Sequence, residues 1–369
     1  MLTMDHYMPV RLFFGERTVF ENRNEFKKLG KRCLIVTGGT SAVRSGALAD
    51  VAAVFAGLDI AHQVFDEIEP NPQTDTCHRA GNAAREFGAD FILGIGGGSP
   101  LDAAKVVGVF AKNEQFAPSD IYARGENPAR LPVALIGTTA GTGSEVTSVS
   151  VLTESVTGRK RSTSSDDLYA AVSFCDPRYT ASMPYDVTVS TALDAFAHAA
   201  ESLLSSARDE MSALYAQRAV TMLWPVFEQF YENKSMPDAA GRAAIYAASL
   251  FAGFALNSTG TLFPHTLGYV LSEDFHVPHG KACAAFHAFL FNRSKQYLPG
   301  RFAEILSLCA CGERHFFEVI TSLADVRIAM TEEQIAAYCA RWAEGVGNFD
   351  RSPGGFTAGD AARALRALR

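Results

Sequence analysis

The feature that most constrains this chain is a repeated alternation in its first half. Short apolar, β-rich runs each end in a turn and give way to an amphipathic helical segment. Cys33–Thr37 runs into Gly38-Gly39-Thr40-Ser41 and then into a helical stretch over Ala47–Phe55. A strand over Ile60–Phe65 ends at Glu69-Pro70-Asn71-Pro72, and a helix over Thr74–Phe87 leads to a third strand, Asp90–Ile95. Continuous apolar runs belong to strands covered on both faces, and strand–helix–strand repeats require parallel pairing with helical crossovers. The pattern predicts an α/β domain built on a parallel, Rossmann-like sheet.

After the third strand, Gly96-Gly97-Gly98-Ser99-Pro100-Leu101-Asp102-Ala103-Ala104-Lys105 opens a helix. Glycines let backbone amides approach an anion, and a helix start offers it the positive end of a dipole. By itself the degenerate Gly94-x-Gly96-x-x-Ser99 pattern serves close packing as well as it serves a pyrophosphate. Val133–Ile136 then runs into Gly137-Thr138-Thr139-Ala140-Gly141-Thr142-Gly143-Ser144-Glu145, which puts hydroxyls and glycines on the same sheet edge. Two such loops describe a nucleotide crevice.

Beyond Pro184 the texture changes to long helical patterns over Val187–Ser205, Glu210–Tyr231 and Ala239–Leu256. The expected division is a dinucleotide-binding α/β domain over residues 1–180 and an all-helical, metal-binding domain over residues 181–369. Asp194 and His198 stand at i and i+4, on one helix face, and His265 and His279 follow downstream. A lone histidine in an apolar helix is usually a core residue, but one carboxylate with three imidazoles and an open position suits Fe(II) or Zn(II). His6, His62, His78, His287 and His315 keep the core or surface reading.

Several function classes are excluded. A net charge of −7 and the lack of a basic run give no field for a phosphodiester backbone, so nucleic acid is not an expected partner. No uninterrupted apolar run reaches membrane-spanning length and the first residues lack a leader pattern, so the expectation is a cytoplasmic protein with no membrane partner. The 7 cysteines are scattered through apolar surroundings, which suits buried thiols, and Cys309-Ala310-Cys311 has no second pair to make a metal site.

Four motifs occur in order: Gly96-Gly97-Gly98-Ser99-x-x-Asp102-x-x-Lys105, Thr138-Thr139-Ala140-Gly141-Thr142-Gly143-Ser144-Glu145, Asp194-x-x-x-His198, and His265 with His279-Gly280. Together they resemble the iron-containing (group III) alcohol dehydrogenase family over nearly the whole chain. The resemblance implies an enzyme that moves a hydride between NAD(P)(H) and an alcohol/aldehyde or ketone pair. It also implies Asp194, His198, His265 and His279 as ligands of Fe(II) or Zn(II), with catalysis running through the metal. Cofactor contacts carry over onto Asn71, Gly96, Gly97, Gly98, Ser99, Asp102, Thr138, Thr139, Thr147 and Lys160, although Lys160 in Arg159-Lys160-Arg161 also reads as a solvated basic turn. Relatives of this kind commonly pair, which implies a homo-oligomer, and Val10–Phe14 offers an edge strand for it.

Two departures bear on specificity. Where NAD-selective members resemble one another in an acidic residue after the first strand, this chain has Gly38, so NADP(H) becomes admissible, with Thr40, Ser41 and Arg44 as candidate contacts to a 2′-phosphate. Tyr269 stands where several relatives carry a further histidine, which puts an imidazole proton relay in doubt and leaves the role of His276 open. The rival readings are a glycerol or polyol dehydrogenase, a maleylacetate-reductase-like enzyme, and a dehydroquinate-synthase-like lyase. Small aliphatic alcohols and aldehydes are the expected substrates.

Overall fold

A computed structural model describes residues 6–123, 125 and 128–368. The chain divides into two compact units, Tyr7–Met183 and, from Pro184 onward, a second unit that also takes in His6.

The first unit holds one parallel sheet. Among the described residues its strands are β1 (Arg11–Phe14), β2 (Arg32–Val36), β3 (Ala61–Phe65), β4 (Phe91–Gly96), β5 (Val133–Gly137) and, late in the chain, Val172–Cys175; between the last two lies an antiparallel hairpin. In chain order the hairpin strands are β6 (Val149–Glu154) and β7 (Arg159–Ser164), which makes Val172–Cys175 β8. The sheet order is β1-β8-β5-β4-β2-β3. The reason for the continuous apolar runs is visible in the packing. Leu34, Val36, Ile92, Val133 and Leu135 enter a core closed by the helices Thr74–Phe87 and Gly98–Phe110. Cys33, Ile35, Phe91, Leu93, Ile95 and Ile136 enter another, closed by Val19, Phe26, Val51 and Phe55. Alternate residues of each strand thus face opposite cores, and both are apolar.

From β2 the chain crosses outward to β3, then returns to pair β4 with the other side of β2. Crossovers that leave in opposite directions put the switch point of the sheet between β2 and β4. The turn after β2, with Gly38, Thr40 and Ser41, and the turn after β4, with Gly97 to Ser99, therefore flank the gap at the carboxyl ends of the strands.

The second unit is helical throughout its described length. Its three long helices, Tyr185–Leu204, Glu210–Asn233 and Ala239–Thr259, pack on one another. Alanines at 192, 195, 197, 199 and 200 are fully buried and let the first of them sit deep among the others, with Phe196 against Trp224, Phe227 and Phe316. Ala239–Thr259 is long and apolar enough to cross a bilayer by length and composition alone. Its Ile245, Tyr246 and Leu250 are buried, and the helix packs on the other two long helices.

The segment 113–130, rich in Pro and polar residues, contains a 3-10 turn at Pro118–Tyr122; its residues 124, 126 and 127 lie outside the described residues.

Candidate metal centre and nucleotide loops

The Tyr185–Leu204 helix brings Asp194 and His198 onto one face, both nearly fully buried. The Phe263–Asp274 helix supplies His265, and the short helix His279–Ala284 supplies His279. Three imidazole nitrogens converge on one carboxylate oxygen: Asp194 Oδ1 lies 3.9 Å from His198 Nε2, 3.6 Å from His265 Nε2 and 3.7 Å from His279 Nε2. All three separations are too long for hydrogen bonds, and Asp194 Oδ1 and His265 Nε2 are buried with no hydrogen-bond partner. Burying such atoms unsatisfied is costly. Four donors held about 2.1 Å from a tetrahedral ion stand about 3.4 Å apart, and the three distances from Asp194 Oδ1 lie within about 0.5 Å of that value. The donor set, one oxygen and three nitrogens, fits a divalent transition metal.

Electrostatics agree with the geometry. Burial alone would raise the Asp194 pKa, but the imidazoles of His198, His279 and His265 pull it well below the usual carboxylate range. Asp194 therefore stays ionised inside an apolar helix bundle, which burial permits only because partners surround it.

Two glycine-dependent approaches build this site and the β2 turn. A Cβ at Gly280 would stand 1.7 Å from the Ser190 carbonyl oxygen and 2.8 Å from the Asp194 amide nitrogen, so the His279-Gly280 pair can dock on the Asp194 helix only without a side chain at 280. A Cβ at Gly38 would stand 1.8 Å from the Ile68 carbonyl oxygen, because Gly38 bridges to Glu67. Gly38 is thus a packing requirement as well as the missing carboxylate.

Sequence reasoning passed over Glu201 and Cys283. Glu201, fully buried, accepts a hydrogen bond at 2.8 Å from His265 Nδ1 when that nitrogen carries its proton, and it lies on the same helix face as Asp194 and His198. The i, i+4, i+7 spacing of these three was the available signal. Cys283 shares a cluster with Asp194, His265 and His279 in which ligand atoms lie within 4.8 Å of one another. Burial pushes its thiol up to about 11, so it is protonated near neutral pH and a weaker donor than the imidazoles. Tyr269 stacks on His279 with ring centroids 5.6 Å apart and planes 14° apart. His276 is exposed in a left-handed turn, φ 55°.

In the first unit the motif residues gather at the carboxyl ends of the strands. Thr139 lies against Gly97 and Thr142 against Gly98, so the two glycine-rich loops pack on each other. The Thr138 amide bonds the Gly96 carbonyl at 2.8 Å, while Thr138 Oγ1 is buried without a hydrogen-bond partner. Ser99 Oγ accepts from the Asn71 amide at 3.2 Å, and the Asn71 carbonyl accepts from Thr153 Oγ1 at 3.2 Å. Lys160 stands opposite Thr153 in the β6–β7 hairpin.

Asp102 and Thr147 are engaged within the protein. Asp102 accepts from Ser144 Oγ at 2.5 Å and from the Val151 amide at 2.9 Å. Lys105, fully buried, donates to Ser144 Oγ at 2.8 Å, Thr147 Oγ1 at 3.3 Å and the Val149 carbonyl at 2.7 Å, and lies 3.4 Å from Asp102. Thr40 is the N-cap of a short helix, Ser41–Arg44, without a side-chain capping bond, and Thr40 and Arg44 are exposed.

Residues 9–177 match the family described as iron-containing alcohol dehydrogenase, and residues 188–334 match the C-terminal part of the Fe-containing alcohol dehydrogenase family. The chain is 34% identical to sulfoacetaldehyde reductase of Bilophila wadsworthia over 76% of its own length and 73% of that protein. It is 32% identical to 1,3-propanediol dehydrogenase of Klebsiella pneumoniae over 90% of its length and 84% of that protein. Its fold superposes on the crystal structure of an iron-containing alcohol dehydrogenase from Thermotoga maritima with a TM-score of 0.91, at 32% identity, covering 99% of each chain. The chain belongs to the iron-containing alcohol dehydrogenase family.

Proposed function

We propose that this chain is an NAD(P)(H)-linked oxidoreductase that interconverts a small alcohol and its aldehyde or ketone, with Asp194, His198, His265 and His279 holding Fe(II) or Zn(II). The observation that carries the reading is the convergence of three imidazole nitrogens on Asp194 Oδ1, between 3.6 and 3.9 Å. A bound divalent ion of this kind supplies Lewis acidity, lowering the pKa of an alcohol hydroxyl or polarising a carbonyl.

The protein's own residues do the rest. Asp194 supplies a buried negative charge that offsets half of a dication. The amides at Gly97 to Ser99 and the start of the Gly98–Phe110 helix receive the pyrophosphate. Lys105 locks the two loops together through Ser144, Thr147 and Asp102, fixing the dinucleotide so that its reactive carbon is held in one place. Tyr269 stacks on the His279 ring and so helps fix its orientation.

Cofactor choice and assembly are part of the proposal. Gly38 presents no carboxylate, and exposed Thr40 and Arg44 beside it are suited to a 2′-phosphate, so NADP(H) is the preferred cofactor. The chain works as a cytoplasmic homodimer; the 7 cysteines form no disulfide, which suits a reducing compartment.

A panel of short alcohols and aldehydes, assayed with NAD(H) and NADP(H) and with or without added Fe(II) or Zn(II), tests the reading. Metal-dependent oxidation of at least one alcohol supports it, and full turnover by metal-free protein contradicts it.

A further inference from the structure

Glu201 occupies a place that neither the metal nor the cofactor reading accounts for. It is a carboxylate with no exposed surface on an alanine-rich helix, where an unpaired charge would be expensive. Its two oxygens are committed to different groups. Oε2 accepts from the Leu262 amide at 2.6 Å, and Oε1 faces His265 Nδ1 at 2.8 Å. Leu262 is the N-cap of the helix that carries His265, so Glu201 holds both the start of that helix and the ring of its ligand residue.

We propose that Glu201 is a positioning residue for the metal centre, fixing His265 as the tautomer with its proton on Nδ1 and its Nε2 lone pair turned toward Asp194. This role for Glu201 rests on the metal reading above and follows from which donors and acceptors face each other. Glu201 Oε2 is taken by the Leu262 amide, which leaves Oε1 for His265 Nδ1, and a carboxylate oxygen pairs with that ring nitrogen as the acceptor of its N–H. An imidazole whose Nδ1–H is so engaged presents Nε2 as an acceptor, and that nitrogen is buried, without a hydrogen bond, 3.6 Å from Asp194 Oδ1. Carboxylate–histidine pairs of this kind orient metal ligands and raise their basicity. Glu201 and Asp194 also contribute two negative charges, which balance a dication within the apolar bundle.

Glu201→Gln tests the assignment. Glutamine keeps the size but offers one acceptor and one donor, so it cannot satisfy both N–H groups. Zn(II) affinity, measured by competition with a chelator, is expected to fall about 10- to 100-fold while NADPH affinity is unchanged. Ser202→Ala removes the neighbouring buried hydroxyl pair with Thr259 and serves as the control for general loosening: it is expected to lower the melting temperature and leave Zn(II) affinity intact. Wild-type affinity in Glu201→Gln, with affinity lost in Asp194→Ala, overturns the role of Glu201 and leaves the ligand set standing. Undiminished affinity in Asp194→Ala overturns the ligand set itself. Should Glu201→Gln fail to fold, proton–nitrogen spectra of Zn(II)-loaded wild-type protein decide: an exchange-protected Nδ1–H that disappears in His265→Gln supports the assignment, and a His265 protonated on Nε2 contradicts it.

Discussion

Gly280 rests directly on Ser190: a methyl group at 280 would come within 1.7 Å of the Ser190 carbonyl oxygen. That contact sets how near His279 comes to the helix of Asp194. Gly280→Ala must push the two apart, at a cost of about 1–3 kcal/mol from overpacking. The expected outcome is a lower melting temperature and at least tenfold weaker Zn(II) binding, with NADPH binding unaffected, checked by calorimetry and chelator competition.

Lys105→Met leaves Asp102, Ser144, Thr147 and the Val149 carbonyl without their shared donor. Burial lowers the Lys105 pKa, and Asp102 and Glu145 oppose that shift. Breaking a buried charged cluster from one side typically costs about 3–5 kcal/mol. Fluorescence titration is expected to show weaker NADPH binding, while metal analysis still finds one ion per chain.

Arg44→Ala is expected to raise the KM for NADPH about tenfold and to leave that for NADH unchanged, as one lost charge-assisted contact to a phosphate implies. Equal effects on both cofactors would show that Arg44 does not meet the 2′-phosphate.

His287 lies fully buried against Phe196 and Phe291, and burial pushes its pKa down from 6.5 to about 4, with His265 adding to the shift and Glu201 opposing it. The unfolded chain regains the ordinary value. Between about pH 6.5 and 4 it binds a proton that the folded chain refuses, so the stability is whole above that window and drains away as pH falls through it. The shift corresponds to a loss on the order of 3 kcal/mol. In metal-free protein, His287→Leu is expected to remove that part of the decline in urea-unfolding curves taken from pH 7 to 4.5.

Much of the sheet was legible because β2, β4 and β5 are buried on both faces and so carry unbroken apolar sequence. β8 was not, since Val172-Ser173-Phe174-Cys175 is four residues long and its Ser173 is buried by a bond to the Glu145 carbonyl, a tertiary contact with no local signature. β7 was hidden for the opposite reason: Arg159-Lys160-Arg161-Ser162 pairs only with β6, faces solvent in part, and reads as a polar turn.

Around the candidate metal centre, Asp194 and His198 stood out by helical spacing, while His265 and His279 come from other helices and were reached by motif order. Glu201 sits three residues past His198 and still escaped notice, because a carboxylate on a helix usually marks a solvated face. Its helical spacing from Asp194 and His198 was the available signal, and its burial gives that spacing its meaning. Asp102 and Thr147 carried a cofactor reading from the family resemblance; their bonds to Ser144 and Lys105 are tertiary contacts, and the bond of Asp102 to the Val151 amide depends on a hairpin that the sequence did not reveal.

The most direct test of the account is metal content set against turnover in anaerobically reconstituted protein. Wild type is expected to hold one Fe(II) or Zn(II) per chain and to oxidise an alcohol with NADP in proportion to that occupancy, and Asp194→Ala to hold none and turn over at least a thousandfold more slowly, on the order of 4 kcal/mol of lost transition-state stabilisation. A metal-free wild type with undiminished alcohol oxidation would contradict it.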